Sequence, residues 1–178
     1  PLDVDGGSSD ACGIASYELD MDTLDCSNLG NTTVILTVTD VNGNQSSCSA
    51  IVTLEDNTPP VLVCNDTTVE LNQDGVAFIT PSLVADIDDN CGTGAVTVDV
   101  QEVSCADIGT PVTVNVFAND GNGNSAVCSA VVTVVDLLAP EIICPDNQVV
   151  NLGPDGTYTL GDYIGDGSAT ATDNCTDP

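Results

Sequence analysis

The stretch VTVNVFANDGNGNSAVCSAVVTVV, residues 112–135, decides the fold. Val112, Val114, Val116 and Ala118 alternate with Thr113, Asn115 and Phe117. Beyond Asn122-Gly123, Cys128, Ala130, Val132 and Val134 alternate in the same way. A period of two gives each segment one apolar face, the mark of a half-buried strand. Asn-Gly supplies the positive φ angles that a tight hairpin needs. The stretch therefore reads as two antiparallel strands joined by a turn.

The same pattern occurs earlier in the chain. Cys48, Ala50, Val52 and Leu54 alternate after Asn42-Gly43, and Tyr17, Leu19 and Met21 match Val96, Val98 and Val100. Cys12, Cys26, Cys48 and Cys64 recur as Cys91, Cys105, Cys128 and Cys144, at offsets of 79 or 80 residues. Asp40-Val-Asn42-Gly43-Asn44 matches Asp120-Gly-Asn122-Gly123-Asn124, and Thr58-Pro59-Pro60 matches Leu138-Ala139-Pro140. Proline keeps itself and its predecessor extended, so it suits a linker. Residues 1–58 read as the C-terminal part of an Ig-like repeat, 59–139 as a complete repeat, and 140–178 as the N-terminal part of a further one. A period near 80 is too long for a solenoid coil and fits small tandem domains. The expected fold is all-β: tandem Ig-like antiparallel β-sandwich domains in a linear array. A linear array needs an odd number of passes per sandwich. The segment Val96–Cys105 is then one bent strand that switches sheets.

Composition narrows the function. The chain has 178 residues, 28 Asp and Glu, and no Lys, Arg or His, for a formal charge of -28. About 20 basic residues would be ordinary at this length. Nothing basic exists to meet phosphates or anionic lipid, so nucleic acid and direct membrane insertion are not expected. No Schiff-base lysine, arginine clamp or histidine base is present, and a cysteine nucleophile would have no basic partner. The five glutamates (Glu18, Glu55, Glu70, Glu102, Glu141) are scattered, so a glycosidase pair is not expected either, and the chain reads as a non-enzyme. Apolar residues reach 42 % and aromatics only 3 %. Cores of small β-branched side chains are modest and need staples. With no Cys-x-x-Cys motif and no histidine, Cys12, Cys26, Cys48, Cys64, Cys91, Cys105, Cys128, Cys144 and Cys175 are disulfide candidates rather than zinc ligands, which implies an oxidising compartment. The whole reads as a piece of a longer exported protein.

The order Pro-x-x-x-Cys, a turn, Asp-Asn-Cys-Gly, a strand, then Asp-x-Asn-Gly-Asn and a cysteine-bearing last strand resembles the hyalin-repeat (HYR-like) Ig-fold modules. It resembles in particular the variant repeated in giant bacterial surface adhesins of the gliding-motility type, exported by the type IX route. The resemblance covers essentially the whole chain and implies an extracellular, filamentous, non-catalytic array. It also implies O-linked glycan acceptors at Thr23 and Thr67, in Asp22-Thr23-Leu24 and Asp66-Thr67-Thr68. Cys105 departs from the usual hyalin pattern, so the family's pairing does not transfer.

Two pairing schemes remain open from the odd-pass layout. In one, Cys91 bonds Cys128 and Cys12 bonds Cys48, while Cys105 reaches Cys64 or, across the junction, Cys144, with Cys26–Cys64 its equivalent. In the other, Cys64 bonds Cys128, Cys91 bonds Cys105, Cys12 bonds Cys26, and Cys48 is free. The Asp-x-Asn-Gly-Asn loops also carry two readings. They are hairpin turns built from turn-forming residues. Alternatively, Asp40, Asn42 and Asn44, with Asp120, Asn122 and Asn124, start calcium loops, although glycine sits fourth rather than sixth and no glutamate closes them. Junction acids Asp56 and Asp136, with Glu55 nearby, are further calcium candidates, the first junction offering more ligands.

The expected role is a structural stalk repeat of a large extracellular or cell-surface filamentous adhesin that projects an adhesive tip. Its partners are neighbouring repeats of the same chain, other cell-surface proteins or glycans. The alternative is a ligand- or carbohydrate-binding Ig-like module whose repeats bind directly. Sugar sites stack on rings, and only Tyr17, Phe78, Phe117, Tyr158 and Tyr163 are present, with no Trp, which favours the stalk.

Overall fold

The computed structural model describes residues 4–161 and 169–175, so Tyr163 lies outside the described residues. The chain forms two compact units. The first comprises residues 1–60, 88–95 and 119–125, and the second residues 61–87, 96–118 and 126–178. Both are built from strands. Among the described residues the helical elements are short: two 3-10 turns and one four-residue α-helix, Pro81–Val84. None is long and apolar enough to cross a membrane.

The first unit contains an antiparallel sheet in the order β1 (Ile14–Leu19), β2 (Gly30–Asp40), β3 (Gln45–Leu54). Its register runs from Gly30 opposite Leu54 to Thr39 opposite Gln45, and Leu36 faces Cys48. Val34 and Leu36 point inward and are buried.

The second unit adds β4 (Val61–Cys64), β5 (Thr67–Glu70), β6 (Val76–Phe78), β7 (Ala85–Asp88), β8 (Val96–Val98), β9 (Glu102–Ser104), β10 (Val112–Asn119), β11 (Ser125–Val135), β12 (Glu141–Ile143) and β13 (Thr170–Thr172). Its main sheet has the order β5-β11-β10-β8, and β4 pairs with β7, β6 with β9, and β12 with β13. Most pairings are antiparallel, but β5 lies parallel to β11, with Thr67 opposite Val132. The segment 96–105 changes sheets, but as two strands with a break at 99–101 rather than as one bent strand: β8 pairs with β10, and β9 pairs with β6.

Alternation sets the core of this unit. Val114, Val116 and Ala118 of β10 and Ala130, Val132 and Val134 of β11 are buried, and Leu71, Ile79, Val84, Ala85 and Val103 are buried with them. Each fully buried valine contributes roughly 1.5–3 kcal/mol.

Three disulfides are present: Cys26–Cys91, Cys64–Cys128 and Cys105–Cys175, with Cα separations of 5.3, 5.9 and 5.4 Å. Cys12, Cys48 and Cys144 are free and exposed. The pattern corrects both expected schemes. Cys64–Cys128 and a free Cys48 match the second, but Cys91–Cys105 and Cys12–Cys26 do not form. None of the distinctive pairs of the first scheme forms either. Cys105 bonds not Cys64, Cys91 or Cys144 but Cys175, the positional equivalent of Cys91 in the following repeat. Cys26, the equivalent of Cys105, likewise bonds Cys91.

The cause is local. Cys105 opens a 3-10 turn at the end of β9, and its N–H donates to the Gly75 carbonyl (3.2 Å), where the Asn174-Cys175 backbone also lies. Gly75 has φ +72, and a Cβ there would come within 2.7 Å of the Asn174 carbonyl and 2.8 Å of the Cys105 Sγ. The bonded pair therefore fits only against a glycine. Closing a loop of 64 residues, as Cys64–Cys128 does, stabilises by roughly 4 kcal/mol in the chain-entropy account.

Urea denaturation checks the core assignment. Val116→Ala should lose about 2–3 kcal/mol, from the methyl groups removed plus the cavity left. Phe117→Thr, on the opposite face of the same strand, should stay within about 0.5 kcal/mol. Equal losses would mean that β10 does not present the face described.

Candidate functional site

Three segments of the first unit bring acids together. Asp56 follows β3, Asp89 precedes Cys91, and Asp120 opens the turn after β10. One carboxylate oxygen from each lies within 4.8 Å of the others. Asp56 is 8 % and Asp120 7 % exposed, the two buried charged residues among those described. At such separations like charges repel. No basic side chain exists to offset this.

The chain answers with amide dipoles. Asp56 accepts from the Thr58 N–H (3.1 Å), from Asn90 Nδ2 (3.3 Å) and from Asn122 Nδ2 (3.2 Å), and its carbonyl accepts from Asn124 Nδ2 (2.9 Å). Asp120 Oδ1 accepts from the backbone N–H groups of Asn122 (2.7 Å), Gly123 (3.1 Å) and Asn124 (3.0 Å). Asp89 uses one oxygen for the Cys91 N–H (2.9 Å), while its Oδ2 is buried with no partner. A buried carboxylate oxygen without a donor is costly. Gly94 backs the site: its N–H donates to the Asn119 carbonyl (2.7 Å), and a Cβ there would come within 2.6 Å of Asn119 Oδ1.

The sequence candidates are thus distributed unevenly. Asp56 and Asp120 converge, and Asp89 joins them without having been singled out. Its signal was the recurrence of Asp89-Asn90-Cys91 as Asp173-Asn174-Cys175. Asn122 and Asn124 sit at the site as amide donors to Asp56, because carboxylates crowded without cations draw N–H groups toward them. Asp40, Asn42 and Asn44 form a turn of their own. Asp40 Oδ1 accepts from the Asn42 and Asn44 N–H groups (both 2.8 Å), and its Oδ2 accepts from Asn44 Nδ2 (2.8 Å). In the second unit Asp136 accepts from the Leu138 N–H (3.1 Å) and from Asn174 Nδ2 (3.2 Å), repeating the Asn90-to-Asp56 bond. Asp173 Oδ1 and Asn174 Oδ1 beside it are buried without partners. Thr23 is exposed with its hydroxyl on Asp22 (3.2 Å), whereas Thr67 is half-buried in β5.

The asparagine side chain, the turn N–H groups and the lost solvation act on these acids in opposite directions. At Asp40 the Asn44 amide leads, and the turn N–H groups add to it, holding the carboxyl below its ordinary value. At Asp120 burial pushes upward, but the Asn124 amide and the three turn N–H groups outweigh it, and the carboxyl is again held low. Asp120 therefore stays ionised at neutral pH. A cluster of hard oxygens, one of them unpartnered, with no competing cation, fits a divalent ion such as calcium.

No family model matches this chain, and no curated protein matches it. Among solved structures it is similar to protocadherin gammaB7 EC3–6, at 13 % identity over 78 % of this chain and 46 % of that one, with a TM-score of 0.35. It is also similar to PcdhgB3 EC1–4, at 17 % identity over 72 % and 43 %, with a TM-score of 0.34. A third, protocadherin gamma B7 extracellular cadherin domains 1–4, gives 16 % identity over 76 % and 46 %, with a TM-score of 0.30. The chain spans less than half the length of each. Likenesses this distant decide neither ligand nor role.

Carboxyl titration by NMR checks the turns. The midpoints of Asp40 and Asp120 should both fall below 3.8. A depressed folded-state value means that these bonds stabilise the fold above the ordinary carboxyl range and are lost as pH falls through the lowered midpoint. A midpoint for Asp120 at or above 3.8 would mean that the turn N–H groups do not face it.

Proposed function

We propose that the chain is a stalk segment of a large extracellular or cell-surface filamentous adhesin, of the hyalin-repeat type it resembles in sequence. One observation carries this reading: the same junction is stitched twice in the same way. Asn90 donates to Asp56 beside Cys26–Cys91, and Asn174 donates to Asp136 beside Cys105–Cys175. In sequence terms each of these disulfides links a cysteine of one repeat to the Asp-Asn-Cys of the next, so the repeats form a covalent series. A series closed by disulfides resists extension, and disulfides persist in oxidising compartments outside the cytosol. Its partners are then its own neighbouring repeats, and surface glycans or proteins meet a distal tip rather than the repeats.

Asp56, Asp89 and Asp120 would hold a divalent cation, for which calcium is the natural choice outside a cell. The ion supplies charge neutralisation. The chain's own part is to bring three separate segments to one point and orient their oxygens with Asn90, Asn122 and Asn124. Direct ligand binding by the repeats is the second reading. Phe78 supports it, being 63 % exposed at a shallow depression shared with Thr80, Thr97 and Gln101.

Calorimetric melting at fixed ionic strength, with calcium and then with chelator, tests the cation. A free ion at about 100 times Kd should add about 2.7 kcal/mol. Asp89→Asn should remove the rise in Tm without unfolding the chain. An unchanged Tm in the parent chain would remove the cation from the reading. Glycan-array binding by the chain that Phe78→Ala abolishes would replace the stalk with the second reading.

A further inference from the structure

The acid trio and one disulfide share a loop. Asp89-Asn90-Cys91 begins the connection from β7 to β8, residues 89–95, which form no helix or strand. Asp89 accepts from the Cys91 N–H (2.9 Å). Asn90 Nδ2 donates to Asp56 (3.3 Å) and lies 3.4 Å from Cys91 Sγ. The Asn90 carbonyl oxygen lies 3.3 Å from Cys26 Sγ. Asn90 therefore touches both sulfurs of Cys26–Cys91 and one acid of the trio.

The other end of the bond is set by the sheet of the first unit. Cys26 is the first residue of a 3-10 turn that Asp25 caps, accepting from the Ser27 N–H (2.9 Å). The turn leads into β2 at Gly30, and Gly30 pairs with Leu54, two residues before Asp56. Cys26 and Asp56 thus stand at the same end of the sheet. The disulfide fixes the loop to that end, and Asp89 comes with it.

Among the described residues, the side chains of Asp89-Asn90-Cys91 are bonded outside their own loop at two points, the disulfide and the Asn90-to-Asp56 hydrogen bond. Gly94 and Ala95 are held on Asn119, by N–H bonds to its carbonyl (2.7 Å) and its Oδ1 (3.3 Å), but they lie five and six residues beyond Asp89. Asp89 brings its charge to where Asp56 and Asp120 already carry theirs, and its Oδ2 is buried with no donor. Repulsion among the three pushes the loop outward. The covalent bond opposes that push.

We propose that Cys26–Cys91 is a redox switch for the cation site: the closed bond holds Asp89 against Asp56 and Asp120, and reducing it weakens cation binding. The inference rests on the cation reading given above. The reductant is a thiol such as glutathione. Two glutathione molecules supply two electrons and two protons, the S–S bond breaks, Cys26 and Cys91 become thiols, and one oxidised glutathione leaves. One hydrogen bond then holds the loop against the repulsion, Asp89 withdraws, and the site loses one of its three carboxylates. Linkage works in both directions, so a bound cation disfavours reduction of this bond by the same factor. Couplings of this kind usually amount to about 5- to 150-fold. Where calcium is scarce and thiols are present, this junction is the one that opens.

The test uses the full chain carrying Cys12→Ser, Cys48→Ser and Cys144→Ser, so that no free thiol reshuffles the three disulfides. Calcium is titrated calorimetrically at fixed ionic strength. Adding Cys26→Ser with Cys91→Ser should raise the calcium Kd about tenfold or more, and Asp89→Asn should raise it too. The second measurement holds the chain with all three disulfides in glutathione buffers and reads each bond by alkylation and peptide mapping. Calcium should lower the ratio of reduced to oxidised Cys26–Cys91 by the same factor. Cys64–Cys128, which joins β4 to β11, should move much less, and Asp89→Asn should abolish the difference. This measurement decides the matter if the serine pair does not fold. A chain that takes up no calcium removes the cation reading and this inference with it. Calcium binding that Asp89→Asn weakens but the serine pair leaves unchanged would overturn the linkage alone. Equal protection of the two disulfides by calcium would overturn it as well.

Discussion

Every carboxylate in this chain has to be satisfied without a cationic side chain. The local structure follows from that constraint at many points. Asp5, Asp25, Asp40, Asp99, Asp120 and Asp155 all have their pKa held down by hydrogen bonds, mostly from residues two to four positions on. Asp25 caps its 3-10 turn in this way, and Asp40 and Asp120 close their hairpins. The aspartates are thus the turn-forming elements, and the asparagines near them are donors more than ligands. Where three acids meet at Asp56, Asp89 and Asp120, the supply of N–H groups runs out, and one oxygen of Asp89 is left over. The cation proposed for the trio would make good that deficit.

A second constraint is the size of the core. Valine and alanine dominate the core of the second unit, with Leu71 and Ile79, and among the described residues the six largest fully buried side chains are one leucine and five valines. Little apolar area is available per residue, and like charges repel over the surface. The disulfides offset this. Cys64–Cys128 links β4, in one sheet, to β11, in another, which fixes the layers of the second unit. Cys26–Cys91 and Cys105–Cys175 each tie the first residue of a short 3-10 turn to a distant loop, and the second pair packs against the core.

The strands, the hairpins and the repeat were legible in the sequence because they depend on local rules. Alternation of apolar and polar residues in 112–135 determines which side of a strand is buried, and Asn-Gly or Asp-Gly determines where it turns. The acidic site was only half legible. Asp56 and Asp120 stood out, one at a proline junction and one in a recurring turn. Asp89 read as part of the Asp-Asn-Cys landmark, and its approach to the others depends on chain passages more than 30 residues apart in sequence. Asp40 and Asp120 occupy equivalent turns that differ at Val41 and Gly121, yet among the described residues only Asp120 meets two other acids.

By itself, then, the sequence determined the class of fold, the spacing of the repeats and the need for covalent staples, since each follows from residue type and period. The tertiary structure decided which cysteine meets which and which acids share a point. The physical reason lies in the repeat itself. When equivalent residues recur every 80 positions, a bond within a repeat and a bond to the next repeat satisfy the same local pattern. Only the path of the backbone, carried past Gly75 to Cys175 and past Asp25 to Cys91, selects between them.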